Sequence, residues 1–249
     1  MNDRQAKERI RREWDDIANA RCAQIESGHD VSHDLVLVPA ILKLVGQLKV
    51  RDVLDVGCGC GFLSRCVATM CRSVVGIDMS SRMIEEAEAR SHGVGNLRYM
   101  NLSVEQFARD NAVRFDLCIA GMTLMTMPNL QECLEAIRNL TKENGRFIFS
   151  IPHPCFWNGY RHDEPEEAFD YWKEHSVTAP FRISLDRRPL PTPTTYYHRS
   201  LQQYARALTQ ARFSLVDLVE PEVPATAPAE YRQSYRLPRF IVVAARPAS

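Results

Sequence analysis

Net charge is missing from this chain: 31 Lys and Arg face 31 Asp and Glu over 249 residues. The balance also holds locally, with 19 basic against 20 acidic side chains in residues 1–150 and 12 against 11 in the remainder. Neither part is basic enough to hold a phosphate backbone or an anionic lipid surface through charge, so neither nucleic acid nor a membrane is an expected partner. No apolar run approaches the roughly 18 residues of a transmembrane helix. The start, MNDRQAKERIRREW, is charged throughout and lacks the apolar stretch of a signal peptide. Eight cysteines are scattered without one C-x-x-C pair, so reduced thiols in the cytoplasm are the expectation. His29 and His33 are four apart, but no third ligand accompanies them and no metal is expected. Glycine is nearly absent from the later part of the chain: ten of 11 Gly precede residue 146, whereas 12 of 14 Pro lie at 152 or beyond. Tight turns therefore belong to the first part and Pro-stiffened irregular structure to the second.

The length fits one domain with an elaboration. A first amphipathic helix is predicted over 3–20, with Ile10, Trp14, Ile17 and Ala18 on one face, and a second over 34–48, with Pro39 in its early part. Apolar runs then recur at 52–56, 74–77, 97–100, 115–120 and 146–151, with helical stretches between them near 62–71, 80–91, 103–109 and 129–140. Ser80 reads as a cap before a helix, and Gly145 as a stop after one. Short strands alternating with helices predict a doubly wound α/β sheet with right-handed crossovers. The alternation stops over 152–198, which holds nine of the 21 aromatics and four of the seven His. A helix at 199–211 and apolar runs at 213–219 and 239–245 follow, the last two pairing antiparallel at one sheet edge.

The strongest site signal is Val53-Leu54-Asp55-Val56-Gly57-Cys58-Gly59-Cys60-Gly61-Phe62-Leu63, a strand entering three alternate glycines with a helix directly behind. Glycine is needed where the backbone turns sharply or a ligand approaches closely. The carboxyl end of the first strand is where open α/β sheets place ligands. Val74-Val75-Gly76-Ile77-Asp78 then ends the second strand on a carboxylate suited to the two ribose hydroxyls of an adenosine ligand, with Met79 beside it. Dinucleotide enzymes need G-x-G-x-x-G for their pyrophosphate. Here Phe62 occupies the third Gly position, and Asp55 repels phosphate while suiting a cationic amine.

The loop resembles the cofactor motif of class I S-adenosylmethionine-dependent methyltransferases, over residues 35–151 and more loosely over the whole chain. The resemblance implies a Rossmann-like fold of seven mostly parallel strands with the last antiparallel, and S-adenosylmethionine as cofactor. Asp55, Gly57, Cys58, Gly59, Gly61 and Phe62 fall in the family's first motif, and Asp78 matches its ribose-binding acid. Ser103-Val104-Glu105 looks like the adenine-binding turn, with Ser103 where Asp is commoner. Ala120-Gly121-Met122 matches the segment lining the methionine end, and Glu143-Asn144-Gly145 the lead into strand five. Many relatives carry a His where Met125 stands. Trp14 is placed to cover the cofactor or to pack.

Gly121-Met122-Thr123-Leu124 replaces the Asn/Asp-Pro-Pro-aromatic turn of nucleobase and protein-amide methylases, which disfavours that class. Pro154-Cys155 lacks the setting of a cytosine-carbon methylase nucleophile. His153 in Ser150-Ile151-Pro152-His153-Pro154-Cys155-Phe156 and His198 in Tyr196-Tyr197-His198-Arg199-Ser200 are candidate general bases, each with a structural role as the alternative. Together these two segments resemble those of a group of bacterial small-molecule methyltransferases. Phe156, Trp157, Tyr196 and Tyr197 are candidate substrate contacts. The expected organisation is a single domain: a helical cap (1–48), a cofactor core (49–151), a substrate lid (152–198) and a final helix with a strand pair (199–249). The function expected is methyl transfer to O, N or C of a small molecule, as in specialised metabolism. A non-methylating use of the cofactor and a nicotinamide oxidoreductase are the alternatives, and a homodimer stays open.

Overall fold

The computed structural model describes residues 2–183 and 190–248. The chain opens with α1 (Asp3–Glu26), closed at its start by a reciprocal cap: Asn2 Oδ1 accepts from the Gln5 N–H at 2.9 Å, and Gln5 Oε1 from the Asn2 N–H at 3.2 Å. Ile10, Ile17, Ala18 and Cys22 form its buried stripe, which carries the helix past the predicted end at Ala20. The second predicted helix is two pieces, a π-helical turn at Ser32–Leu37 and α2 (Val38–Gly46). Pro39 accounts for the break. Its ring crowds the carbonyl four residues back, and the preceding turn widens so that the Val38 N–H reaches the His33 carbonyl.

Five parallel strands follow: β1 (Asp52–Val56), β2 (Ser73–Asp78), β3 (Leu97–Asn101), β4 (Phe115–Gly121) and β5 (Thr141–Pro152). They alternate with α3 (Phe62–Ala68), α4 (Ser81–Arg90), α5 (Val104–Asp110) and α6 (Leu130–Leu140). Next come α7 (Trp157–Arg161), β6 (His175–Ala179), β7 (Thr194–His198), α8 (Leu201–Gln210), β8 (Phe213–Val219), α9 (Ala229–Ser234) and β9 (Phe240–Pro247). The main sheet runs β3-β2-β1-β4-β5-β9-β8, with β9 antiparallel to both neighbours. This is the predicted seven-stranded, doubly wound, Rossmann-like sheet with its last strand reversed.

Alternate residues of each strand feed opposite faces. Leu54, Val75, Cys118 and Phe147 pack with α5, α6 and α8, and Val53, Val74, Leu117 and Ile148 pack with α2 and α3. Ser80 caps α4 as predicted, accepting from the Met83 N–H at 3.0 Å. Gly145 does not end a helix: α6 stops at Leu140, and β5 starts at Thr141 with residues 142–145 bulged out before Arg146 pairs with Leu117. A Cβ at Gly145 would stand 2.8 Å from the Lys142 carbonyl oxygen.

The stretch read as irregular contains a separate two-stranded sheet, β6 with β7. Its residues 184–189 lie outside the described residues. Buried Glu13 of α1 grips β7, accepting from the Thr195 N–H at 2.8 Å and the Thr195 hydroxyl at 2.9 Å. Arg199, just after β7, is almost wholly buried and donates to the Met127 carbonyl at 2.7 Å and to Glu174 at 2.7 Å. These two polar anchors bring α1 and β7 over the carboxyl ends of β1 and β4. No described helix is long and apolar enough to cross a membrane.

Candidate active site

A cavity of about 280 Å³ opens at the carboxyl ends of β1, β2 and β4, beneath α1 and β7. In an open α/β sheet this is where the strand order reverses and loops part to admit a ligand. Gly57, Gly59 and Gly61 all adopt positive φ, at 65°, 53° and 73°. Two of them show why alternate glycines are required. At Gly61 a Cβ would strike the Tyr99 ring, whose hydroxyl bonds the Ser91 hydroxyl at 2.9 Å. At Gly59 a Cβ would meet nothing within 4 Å and would project into open space at the cavity wall, a cradle kept clear for a ligand.

Two carboxylates complete the cradle. Asp78 accepts from the Gly59 N–H at 3.0 Å and the Ser80 N–H at 2.8 Å, which welds the end of β2 to the glycine loop. Burial pushes its carboxyl up to about 6, against the pull of those two amides. Asp55 accepts from the Ser64 hydroxyl at 2.5 Å, and burial raises it to about 7. Buried Asp55 and half-buried Asp78, with no basic side chain bonded to either among the described residues, suit a ligand that brings hydroxyls and a cationic amine. The residues present therefore fit S-adenosylmethionine and not a pyrophosphate.

Met79, Ser103, Val104 and Glu105 line one end of the cavity, with Cys58 and Phe62 on the loop side. Ser103 is spent on α5: its hydroxyl accepts from the Gln106 N–H, and the Gln106 side chain returns the bond to Ser103 N–H. Glu105 is bridged to Lys7 of α1 at 3.1 Å. Gly121 and Met122 line the opposite end, and Met122 holds φ 55°, pinned by the Ser150 hydroxyl at 3.0 Å. Ala120 is fully buried within β4, one residue short of the wall. Gly61 shapes the loop from behind.

Beyond Met122 the wall turns aromatic. Trp14, Met125, Trp157 and Tyr196 line it, joined by Tyr160, Phe181 and Phe240. Trp14 meets the Phe181 ring edge-on at 5.9 Å, and Trp157 lies 5.6 Å from Phe240. Among these rings stand Arg161 and Asp163, which the sequence reading missed. Asp163 Oδ2 accepts from Arg161 Nε at 3.3 Å and from the Tyr196 hydroxyl at 3.2 Å. Arg161 Nη2 also donates to the Pro180 carbonyl at 2.9 Å. Burial and the Asp163 charge hold the Tyr196 phenol well above its usual range, so it stays protonated and donates.

The two candidate histidines stand elsewhere. His153 is buried and does not line the cavity: Nδ1 accepts from the Cys155 N–H at 3.2 Å, and Nε2 donates to Glu220 at 2.8 Å. Phe156 stacks on its imidazole, also off the wall. His198 bonds the Tyr171 carbonyl at 2.9 Å, and burial lowers its pKa, which keeps it neutral. Ser200 caps α8. Tyr197 points away from the cavity to lie under Arg199 at 4.9 Å. His33 does line the cavity, stacked edge-on against Phe62 at 4.9 Å with Nδ1 2.7 Å from Asp34. Among the described residues no three His, Cys, Asp or Glu side chains gather as a metal site would need.

A family profile described as a methyltransferase domain matches residues 49–182. A protein of Haemophilus influenzae, itself uncharacterised, is 26% identical over 207 residues, 76% of this chain and 77% of that one. The ubiquinone biosynthesis O-methyltransferase of Pseudoalteromonas translucida is 33% identical over 111 residues, only 44% of this chain and 47% of the relative. A Listeria monocytogenes protein assigned as an S-adenosylmethionine-dependent methyltransferase superimposes with a TM-score of 0.63 at 26% identity, covering 80% of this chain and 92% of the other.

Proposed function

The chain belongs to the methyltransferase-domain family and is an S-adenosylmethionine-dependent methyltransferase; from that premise we propose that its acceptor is a small molecule methylated on a hydroxyl oxygen. Asp55, Gly57, Gly59 and Asp78 would hold the cofactor, with Val104 and Met79 at its nucleoside end and Gly121 and Met122 at its methionine end. The cofactor supplies an electrophilic methyl group on sulfur when bound. Segment 152–198 serves as the lid that chooses the acceptor. Eight free cysteines suit a cytoplasmic setting.

One observation carries the choice of acceptor atom: at the aromatic end of the cavity the Tyr196 hydroxyl donates to Asp163 Oδ2 at 3.2 Å, a pair able to take up a proton. As the acceptor oxygen gains the methyl group, its proton passes to Asp163, either directly or through the Tyr196 hydroxyl, which gives its own proton to Oδ2. Arg161 holds the carboxylate in place. The rings of Trp14, Trp157 and Phe181 exclude water and press a planar acceptor against the methyl donor. The O-methyltransferase named among the relatives supports the same atom.

Transfer of a carbon-14 methyl group from labelled S-adenosylmethionine, supplied with a bacterial metabolite extract, tests this reading. The label is expected in the low-mass, solvent-extractable fraction, with Asp163→Asn slowing its appearance by about 10²-fold or more. Label carried down with acid-precipitated protein or nucleic acid would overturn it.

A further inference from the structure

The glycine loop carries a second kind of chemistry. Cys60 lies between Gly59 and Gly61, 2% exposed, yet its side of the loop lines the cavity. Cys22 of α1 is fully buried and packs against it in a small cluster with Ala18 and Met83. Within that cluster the Cys22 thiol donates to Met83 Sδ at 3.8 Å. The guanidinium charges of Arg21, Arg65 and Arg90 act on Cys60. Asp30, Glu26 and Glu86 hold them in place, and Arg65 also donates to the Cys60 carbonyl at 2.8 Å. The neighbouring Cys22 thiol outweighs burial and, with the arginine charges, brings the Cys60 thiol down to about 7, while Cys22 is pushed up and keeps its proton. By contrast, burial pushes the thiols of Cys58, Cys118 and Cys133 upward, away from thiolate chemistry. Neither Cys22 nor Cys60 has a part in the methyl-transfer scheme above.

We propose that Cys22 and Cys60 form a hydroperoxide-sensitive modification site, gated by the cofactor, that ties α1 to the glycine loop when oxidised. The Cys60 thiolate attacks hydrogen peroxide, the O–O bond breaks, and Cys60 becomes a sulfenic acid as hydroxide leaves and is protonated to water. Cys22 then attacks the sulfenic sulfur; its proton leaves with the hydroxyl as a second water, and the S–S bond forms. Two thiols are oxidised by two electrons, and one peroxide is reduced to two waters. The cavity that Cys60 lines gives peroxide its route to the thiol. A ligand seated on Gly59 blocks that route. The gating rests on the cofactor assignment of the cavity; the crosslink itself does not.

The test uses the full-length reduced protein, hydrogen peroxide, and free-thiol counting after denaturation, followed by peptide mapping. Without ligand, the Cys22 and Cys60 thiols are expected to be lost alongside that of exposed Cys155, three of the eight, with a Cys22–Cys60 peptide that dithiothreitol dissolves. Exposed Cys155 serves as the internal control for general oxidation. Cys22→Ser should instead trap a sulfenic acid on Cys60 that reacts with dimedone. Saturating S-adenosylhomocysteine, with binding checked by calorimetry, should prevent both products while Cys155 still oxidises. Oxidation at Cys155 without the Cys22–Cys60 peptide would overturn the site. A crosslink that forms equally fast with the ligand bound would overturn the gating. No heat on titration would mark failure of the cofactor assignment instead.

Discussion

Binding of S-adenosylhomocysteine should strengthen steeply as pH rises from 5 to 8. Asp55 and Asp78 line the cavity beneath the glycine loop, and burial lifts them to about 7 and about 6. The amine and hydroxyls of the ligand favour both acids ionised. Below its pKa, each acid costs binding about a factor of ten per pH unit, because only about a tenth remains ionised one unit down. Across pH 8 to 5 the two together weaken binding by about 10²- to 10³-fold, or about 3–4 kcal/mol. The stability of the free protein runs the other way. Folded pKa values raised from 3.8 give stability that is fully present below about pH 4 and is lost as pH climbs through 6 and 7. The thermal midpoint of the free protein should therefore fall over that window, while the shift caused by ligand grows. Calorimetric titration at half-unit steps, paired with melting curves, reads both. Asp55→Asn should flatten the upper part of the affinity profile and leave the lower part to Asp78. A flat affinity across pH 5–8 in the native protein would refute the role of these two acids.

Two substitutions probe the framework. Gly61→Ala places a methyl group against the Tyr99 ring at φ 73°; a loss of about 2–4 kcal/mol is expected, and denaturant unfolding checks it, an unchanged midpoint contradicting the loop geometry. His153→Ala should cost about 1–3 kcal/mol of stability through its lost bonds with unchanged affinity for S-adenosylhomocysteine; normal stability with lost affinity would return His153 to the cavity.

The sheet was legible because its signals are local. Asp52–Val56 and its glycines, or Ser80 ahead of α4, sit within a few residues of what they determine. The glycine-loop end of the cavity was legible for the same reason. Asp55, the three glycines and Asp78 are consecutive features of one strand–loop–helix–strand unit. The acceptor end was not. Asp163 reaches the wall only because Arg161 and Tyr196, the latter 33 residues away in sequence, converge on it, and Tyr196 is placed by Glu13 bonding the neighbouring Thr195. No period or motif encodes a meeting of that kind. His153 and His198 misled because a histidine at a strand end has the same sequence signature whether it faces a cavity or satisfies Glu220 and a backbone carbonyl. Pro39 announced a disturbance but not its form, since only the packing of the preceding turn distinguishes a frayed start from a π-turn.

A crystal structure of the complex with S-adenosylhomocysteine tests the central claim most directly. The ribose hydroxyls should lie within hydrogen-bond reach of the Asp78 carboxylate, the amine beside Asp55 and Gly57, and the sulfur should face the space bounded by Met122, Tyr196 and Asp163. A nucleoside bound away from Asp78, or a sulfur turned from that aromatic end toward bulk solvent, would contradict the account.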